Sequence, residues 1–365
     1  MKRVLCLLSG MNSGGAETFL MKVLRSLDRS KYQMDFCINT QEECFYSAEI
    51  RELGGKIFYV PHKSAGVRAF NKQLADLIKN ENYKYVLRIT SNAAGFMDLK
   101  IAKKAGAEIC SARSSNSSDG ISKLVKLIHR IGRMLYGRYV DVKFAPSDLA
   151  AAYTFGKRAY EKGDVTILHN AVDLNVYRFD SAGRESVRTQ FNIDDRTTVV
   201  GHIGRFMTQK NHPFLIEAFS EIHKKNQNTV LLLVGCGELE NQIKEDVRAR
   251  GLSDSVIFAG VRSDVPQILS AMDVFVMPSF FEGMPNTVIE AQATGLPCVI
   301  ADTITKEANI TGLVEYLPLG DAQMWAEKTL DAVSDQRADT KQAFVENKYD
   351  IESTVQTFVK LVFGE

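Results

Sequence analysis

The chain has 365 residues, of which 45% are hydrophobic and 24% charged, and a formal net charge of +1. That length is too great for one compact core and fits two domains, with a composition typical of soluble globular proteins. No apolar run approaches the roughly 20 residues that span a bilayer, and the six cysteines are scattered without a CxxC pair, which argues against a zinc site and fits reduced thiols and a cytoplasmic home.

The small net charge hides an asymmetry. Residues 1–180 carry 28 Lys and Arg against 18 Asp and Glu, a net +10, and the remainder carry 17 against 26, a net −9. A basic half points to an anionic surface as partner. Nucleic acid finds no support, because no aromatic-plus-basic binding motif is present. An anionic membrane face is the better fit.

At the start, Met1-Lys2-Arg3 and Val4 to Leu8 imitate a secretory signal, but the apolar run stops at Ser9-Gly10. It reads as a first strand, Arg3–Ser9. Further strands are expected over Met34–Asn39, Lys56–Val60, Tyr85–Arg88, Glu108–Cys110 and Val142–Phe144, with helices over Ala16–Leu27, Ala69–Asn80 and Met97–Ala105. Such alternation predicts a doubly wound parallel sheet, which takes ligands beyond the carboxyl ends of its strands. The first loop there, Gly10 to Gly15, lets a backbone approach a ligand closely, although its spacing is not GxGxxG. After the Glu108–Cys110 strand comes Arg113-Ser114-Ser115-Asn116, where Arg113 reads either as a binder of an acceptor phosphate or as a surface charge.

Residues 121–140 set Lys123, Lys126, Arg130, Arg133 and Arg138 among Ile121, Leu124, Leu127, Ile128, Ile131 and Leu135 at helical spacing. Two readings stand side by side: a basic amphipathic helix lying on an anionic membrane, or a core-packing helix with a solvated basic face. Near Leu168-His169-Asn170-Ala171-Val172-Asp173 the first domain hands over to the second, boundaries being expected at 172/173 and 347/348. His169 could serve as a general base, but a lone histidine here is the structural type. A charged loop around Gly183 follows, and a second alternating unit begins at Thr197.

A strand over residues 198–204 leads into Arg205 and Lys210 at its carboxyl end, just after Gly204. A departing diphosphate accumulates negative charge that must be neutralised. The chain has no DxD motif for a metal, so Arg205, Lys210 and a helix N-terminus are expected to supply that charge. Leu231 to Glu238 starts like a dinucleotide fingerprint but carries Glu240 where the third glycine belongs, which disfavours a nicotinamide oxidoreductase.

The stretch Pro278 to Pro297 breaks a buried strand, Val274 to Met277, and then shows Glu282, Gly283-Met284-Pro285, a helix over Asn286–Thr294 with Pro285 at its first position, and Gly295 and Pro297 as its stop. Glu282 falls in the loop and Glu290 about one turn into the helix. Paired carboxylates accept vicinal hydroxyl protons, and the helix N–H groups between them suit a phosphate. Such a set fits a nucleotide-sugar donor. The simpler alternative is two solvated glutamates.

These motifs, with GGAETF at 14–19, NAVD at 170–173, GHIGRFMTQKNH at 201–212, LLLVGCGELE at 231–240 and FAGVRSDVPQILSAMDVFVMPS at 258–279, resemble the retaining GT-B glycosyltransferases of glycosyltransferase family 4, in particular the capsular and exopolysaccharide branch. The resemblance implies two Rossmann-like doubly wound parallel-sheet domains facing across a cleft. The C-terminal helix from Ile351 would cross back to the first. It implies metal-independent, retaining transfer from a UDP-sugar, with no further cofactor, to a growing, lipid-linked saccharide. Glu282, Arg205 and Lys210 would be the catalytic set. Gly14, Gly15, Gly204, Val261, Arg262, Gly283, Met284, Pro285, Asn286, Thr287 and Glu290 would line the donor, and Arg113, Asn116 and Asn170 would face the acceptor. The branch's His-Ser-His-Asn pattern is absent, Arg113 to Asn116 standing in its place. A non-catalytic nucleotide-sugar sensor shares the same donor residues.

Overall fold

Strands buried on both faces must be apolar on both, which is how parallel sheets differ from solvated antiparallel ones. Val274–Met277 and Cys298–Ala301 are of this kind, and every residue of both is buried. The structure of the protein is a computed structural model that describes residues 1–12, 14–40, 42–115, 123–334 and 336–365, with the side chains of 123–126 and 128 outside that description. It divides into two compact units, residues Met1–Ala171 with Lys348–Glu365, and Val172–Asn347.

In the first unit the strands are β1 (Lys2–Leu7), β2 (Tyr32–Ile38), β3 (Ile57–Tyr59), β4 (Tyr85–Thr90), β5 (Ile109–Ser114), β6 (Val142–Ala145) and β7 (Thr166–Ile167). They pair in the order β3-β2-β1-β4-β5-β6-β7, all parallel. The second unit has β8 (Thr198–Ile203), β9 (Thr229–Val234), β10 (Val256–Gly260), β11 (Val274–Met277), β12 (Cys298–Ala301) and β13 (Val314–Leu317), in the order β10-β9-β8-β11-β12-β13, again all parallel. In each sheet the winding reverses beside its first strand, between β1 and β4 and between β8 and β11. Loops at such switch points splay apart and leave a crevice for ligand.

Two corrections concern local structure. The charged segment expected as a loop around Gly183 is a helix, Ser181–Gln190, started by Asp180, whose carboxylate accepts the Ala182 N–H at 3.1 Å. Arg184 and Arg188 on it both pair with Asp273, at 2.8 and 2.7 Å, so its stability comes from the rest of the unit rather than from its own composition. Strand β5 continues past Cys110 to Ser114, which carries Arg113 inside the sheet. Cys236 is exposed and the other five cysteines are buried.

The C-terminal helix Ile351–Phe363 is capped by Asp350, which accepts the Ser353 N–H at 2.8 Å. It belongs to the first unit, where Phe358, Val362 and Phe363 join Phe19, Leu20, Leu24 and Phe144 in the core on one side of the sheet. Phe358 meets Phe19 and Phe144 with ring centroids 6.4 Å away in each case. Phe358→Ala should destabilise the first unit by about 3–5 kcal/mol, the usual cost of emptying a fully buried phenylalanine site. Denaturant unfolding followed by circular dichroism would read this as a lowered midpoint for one transition.

Helix Lys123–Tyr136 turns an apolar face outward. Among its described side chains His129 is buried, and Arg133 donates to the Tyr153 carbonyl at 3.0 Å, whereas Leu127, Ile131, Met134 and Leu135 are exposed beside Arg130. Residues 127, 131, 134 and 135 share one helical face, so these apolar groups point to solvent and do not form the core-facing stripe of the second reading. No helix among the described residues is long and apolar enough to cross a membrane.

Candidate active site

The loops that leave β8 and β11, at the switch point of the second unit, are tied together residue by residue. Beyond β8 the chain passes Gly204 and Arg205 and makes a tight turn, Thr208–Lys210, which Asn211 ends in the left-handed region at φ 53°. Asparagine tolerates that conformation better than most residues, and helix His212–Lys225 starts directly after it. Beyond β11, the Ser279 carbonyl accepts from Thr303 Oγ1 at 2.9 Å, and the Phe280 N–H donates to the Gln209 carbonyl at 2.9 Å. Gln209 Nε2 donates to the Phe281 carbonyl at 2.8 Å.

Next in line, Lys210 Nζ meets Glu282 Oε1 at 2.7 Å, with side chains only 15% and 11% exposed. A charge-assisted bond this sheltered is held more firmly than a surface pair. Gly204 makes room for it. A Cβ there would lie 3.2 Å from Lys210 Cε and 3.0 Å from His202 Nε2, so any side chain would push against the lysine stem.

Beneath the lysine lie two histidines. His202 Nδ1 donates to the Val276 carbonyl at 2.8 Å, and its ring meets that of His212 edge-on at 5.1 Å. Among the described residues, neither ring nitrogen of His212 finds a hydrogen-bond partner. Burial pushes both imidazoles below their usual range, that of His212 to about 4, and the nearby Lys210 charge adds to the effect in each. At neutral pH both are uncharged, so Lys210 is the cation of this cluster.

Gly283 to Pro285 lead from Glu282 into helix Asn286–Ala293. Pro285 occupies the cap position, not the first helical one, and its own side chain makes no capping hydrogen bond. With the missing proline N–H outside the helix, the first-turn N–H groups of Asn286 and Thr287 lie at the positive end of the dipole. Glu290, one turn on, is buried. Lys210, Glu282 and the helix start are thus brought to the end of adjacent strands. That set can hold an anion beside a hydroxyl-rich ligand.

The remaining donor candidates are placed differently. Arg205 is at the same strand end, but its side chain is 70% exposed, and its guanidinium is 3.7 Å from Glu238. Val261 is exposed beyond β10. The Arg262 side chain is engaged by Asp264 at 2.8 and 2.6 Å and by Gln190 at 2.9 Å, so its charge is compensated locally and only the backbone of this turn is left for a ligand.

In the first unit, Gly14 caps helix Gly15–Ser26, and the Glu17 carboxylate folds back over the Gly14 α-carbon; burial raises the Glu17 carboxyl above its usual range. Arg113 is no surface charge. It is fully buried, with its guanidinium 3.8 Å above the Phe19 ring and Nη2 donating to Asn170 Oδ1 at 2.6 Å, and burial lowers its pKa to about 9. A group so enclosed holds its own unit together, including the Asn170 side chain, and is out of reach of an acceptor phosphate. Asn116 lies outside the described residues. His169 stacks on Tyr349 at 4.1 Å and bonds the Pro146 carbonyl at 3.0 Å, a packing role.

Gln209, His202 and His212 were not singled out from the sequence. The histidines stand in the GHIGRFMTQKNH motif, but only the fold shows that they meet beneath Lys210. No group of three or more His, Cys, Asp or Glu among the described residues is arranged to hold a metal ion.

Residues 197–335 match the family Glycosyl transferases group 1. Over 363 residues the chain is 32% identical to the putative glycosyltransferase EpsF of Bacillus subtilis (strain 168), covering 97% of this chain and 94% of that one. Over 141 residues it is 34% identical to the UDP-Gal:alpha-D-GlcNAc-diphosphoundecaprenol alpha-1,3-galactosyltransferase of Escherichia coli, covering 38% and 36% of the two chains. Among solved structures, HepE of Anabaena in complex with UDP and glucose superimposes with a TM-score of 0.77 at 18% identity, covering 100% of both chains.

Proposed function

This chain belongs to the group 1 glycosyl transferases, and from that premise we propose that it is a retaining, metal-independent enzyme of glycosyltransferase family 4. It is a glycosyltransferase with the GT-B fold. Its donor is a UDP-sugar, and its acceptor a growing saccharide, lipid-linked, in the assembly of a capsule, exopolysaccharide or other surface glycan. The observation that carries this reading is the Lys210–Glu282 pair at the β8/β11 switch point, 2.7 Å between its charged atoms and beside the start of helix Asn286–Ala293.

The chemistry follows from those groups. As the bond from the anomeric carbon to the diphosphate breaks, charge grows on the leaving oxygen. A lysine already fixed by Glu282, together with first-turn N–H groups, needs little reorganisation to meet it. Arg205, free to swing from its exposed position, adds a second cation once the diphosphate is bound. Glu282 accepts sugar hydroxyls, and buried Glu290 accepts the ribose hydroxyls. The relatives support the substrates: HepE was solved with UDP, and the E. coli enzyme's name specifies a UDP-galactose donor and a diphosphoundecaprenol-linked acceptor. A screen of UDP-sugars for UDP release, with and without a membrane-lipid extract as acceptor, tests the reading. At least one donor should give extract-stimulated release. Binding of UDP-sugar with no release under any condition would make the protein a sensor instead.

A lipid-linked acceptor brings the enzyme to a membrane, and the outward apolar face of helix Lys123–Tyr136 suits the contact. Leu127, Ile131, Met134 and Leu135 can enter the interface while Arg130 meets anionic headgroups. The protein should float with vesicles containing anionic lipid and not with neutral ones. Replacing Leu127, Ile131 and Met134 together by serine should lower the bound fraction at least about tenfold, since each buried apolar side chain contributes roughly 1.5–3 kcal/mol. Equal flotation of the triple variant would rule out this face.

A further inference from the structure

The segment that delivers Glu282 also delivers two aromatic rings, which the diphosphate and ribose do not call for. From Ser279 to Glu282 each residue is pinned: Ser279 by Thr303 at 2.9 Å, Phe280 by the Gln209 carbonyl at 2.9 Å, Phe281 by the Gln209 side chain at 2.8 Å and Glu282 by Lys210 at 2.7 Å. A backbone held so closely cannot roll its side chains into the core. Phe280 and Phe281 are accordingly left 47% and 62% exposed. Large apolar groups fixed in water beside a reactive carboxylate mark a surface built to be covered.

We propose that Phe280 and Phe281 are the stacking platform for the acceptor saccharide. This rests on the donor reading above. The attacking hydroxyl must reach the anomeric carbon of the sugar that Glu282 holds, so the acceptor ring sits within about one sugar diameter of residue 282. A pyranose presents a C–H face without hydroxyls, and a flat aromatic ring matches it while the hydroxyls at the rim stay solvated. Phenylalanine has few rotamers, and the bonds to Gln209 have already fixed the backbone, so little freedom is lost on contact. The diphosphate and ribose call for charge and hydrogen bonds, which Lys210, Glu290 and the helix start provide. The rings directly precede Glu282, which is assigned to the sugar, and lie nine or more residues before the ribose-holding Glu290, so they are assigned to the second substrate. In this arrangement Gln209 is a positioning residue that sets the rings and Glu282 together.

Saturation-transfer NMR on the full chain tests the platform. The probes are soluble trisaccharides built from glucose, galactose or N-acetylglucosamine, and a short-chain prenyl phosphate, each in the presence of UDP. At least one trisaccharide should show saturated ring C–H protons. The signal should fall about fivefold or more in the Phe280→Ala, Phe281→Ala double variant and persist when both are tyrosine. UDP affinity by calorimetry should stay within about twofold in both variants. No saturated trisaccharide, an unchanged signal in the alanine variant, or saturation of the prenyl phosphate alone would overturn the proposal. So would a parallel loss of UDP affinity, because the rings would then belong to the donor pocket. Failure of the unmodified protein to bind UDP counts against the donor reading, whereas the trisaccharide contrast between unmodified and alanine proteins decides the platform either way.

Discussion

Lys210→Ala is expected to lower donor kcat/KM by about 10²- to 10³-fold, the typical loss when one preorganised charge or donor facing a developing anion is removed. Geometry argues for the upper part of that range. The lysine is largely enclosed and its stem packs against Gly204, whereas Arg205 stands exposed beside Glu238 and cannot reproduce that fixed placement. The two imidazoles beneath are uncharged and offer no substitute cation. Removing the ammonium also leaves the sheltered Glu282 carboxylate without its counter-charge, which disturbs the second catalytic group at the same time. Steady-state UDP release with a saturating acceptor source gives the number, and an unchanged circular-dichroism spectrum shows that the fold is intact. A loss below about threefold would mean that the leaving group is stabilised elsewhere.

Glu282→Gln should cost about 10²-fold or more in kcat and leave UDP affinity within about threefold, because Glu282 is assigned to the sugar and not to the nucleotide. Glu290→Gln should do the reverse and weaken UDP by about 10-fold or more with a smaller effect on kcat, since a buried carboxylate that receives two ribose hydroxyls loses a charge-assisted bond of about 1.5–3 kcal/mol. Calorimetry with UDP and kinetics with UDP-sugar separate the two. If Glu282→Gln lost UDP affinity and Glu290→Gln lost only turnover, the roles would have to be exchanged.

The fold was legible because parallel sheets leave a mark that survives without context. Val274 to Met277 and Leu231 to Val234 are continuous apolar runs closed by proline or glycine, and each is a strand whose carboxyl end opens on a loop. Pro278, Gly295 and Pro297 likewise bracket the Glu282–Glu290 stretch by rules that act within a few residues. What could not be read depended on partners far along the chain. Lys210 and Glu282 are 72 residues apart, and nothing local states that they touch. Arg113 looks like a loop charge among serines, yet Phe19 and Asn170 enclose it because β5 runs longer than its composition suggests. Ser181–Gln190 mixes good helix formers with Gly183, Ser186, Val187 and Thr189, and Asp180 and the two arginine bridges to Asp273 hold it as a helix. The amphipathic pattern around Leu127 was visible, but which face meets solvent is decided by what His129 and Arg133 find to pack against.

A double-mutant cycle on Lys210→Ala and Glu282→Gln, read as kcat for UDP release, bears most directly on the claim that these two side chains from neighbouring strand ends act as one device on the donor. Groups that work as a unit lose most of their effect with the first removal, so the double variant should fall no more than about fivefold below the weaker single variant. Losses that multiply, to about 10⁴-fold or beyond, would show two independent groups and contradict a shared site.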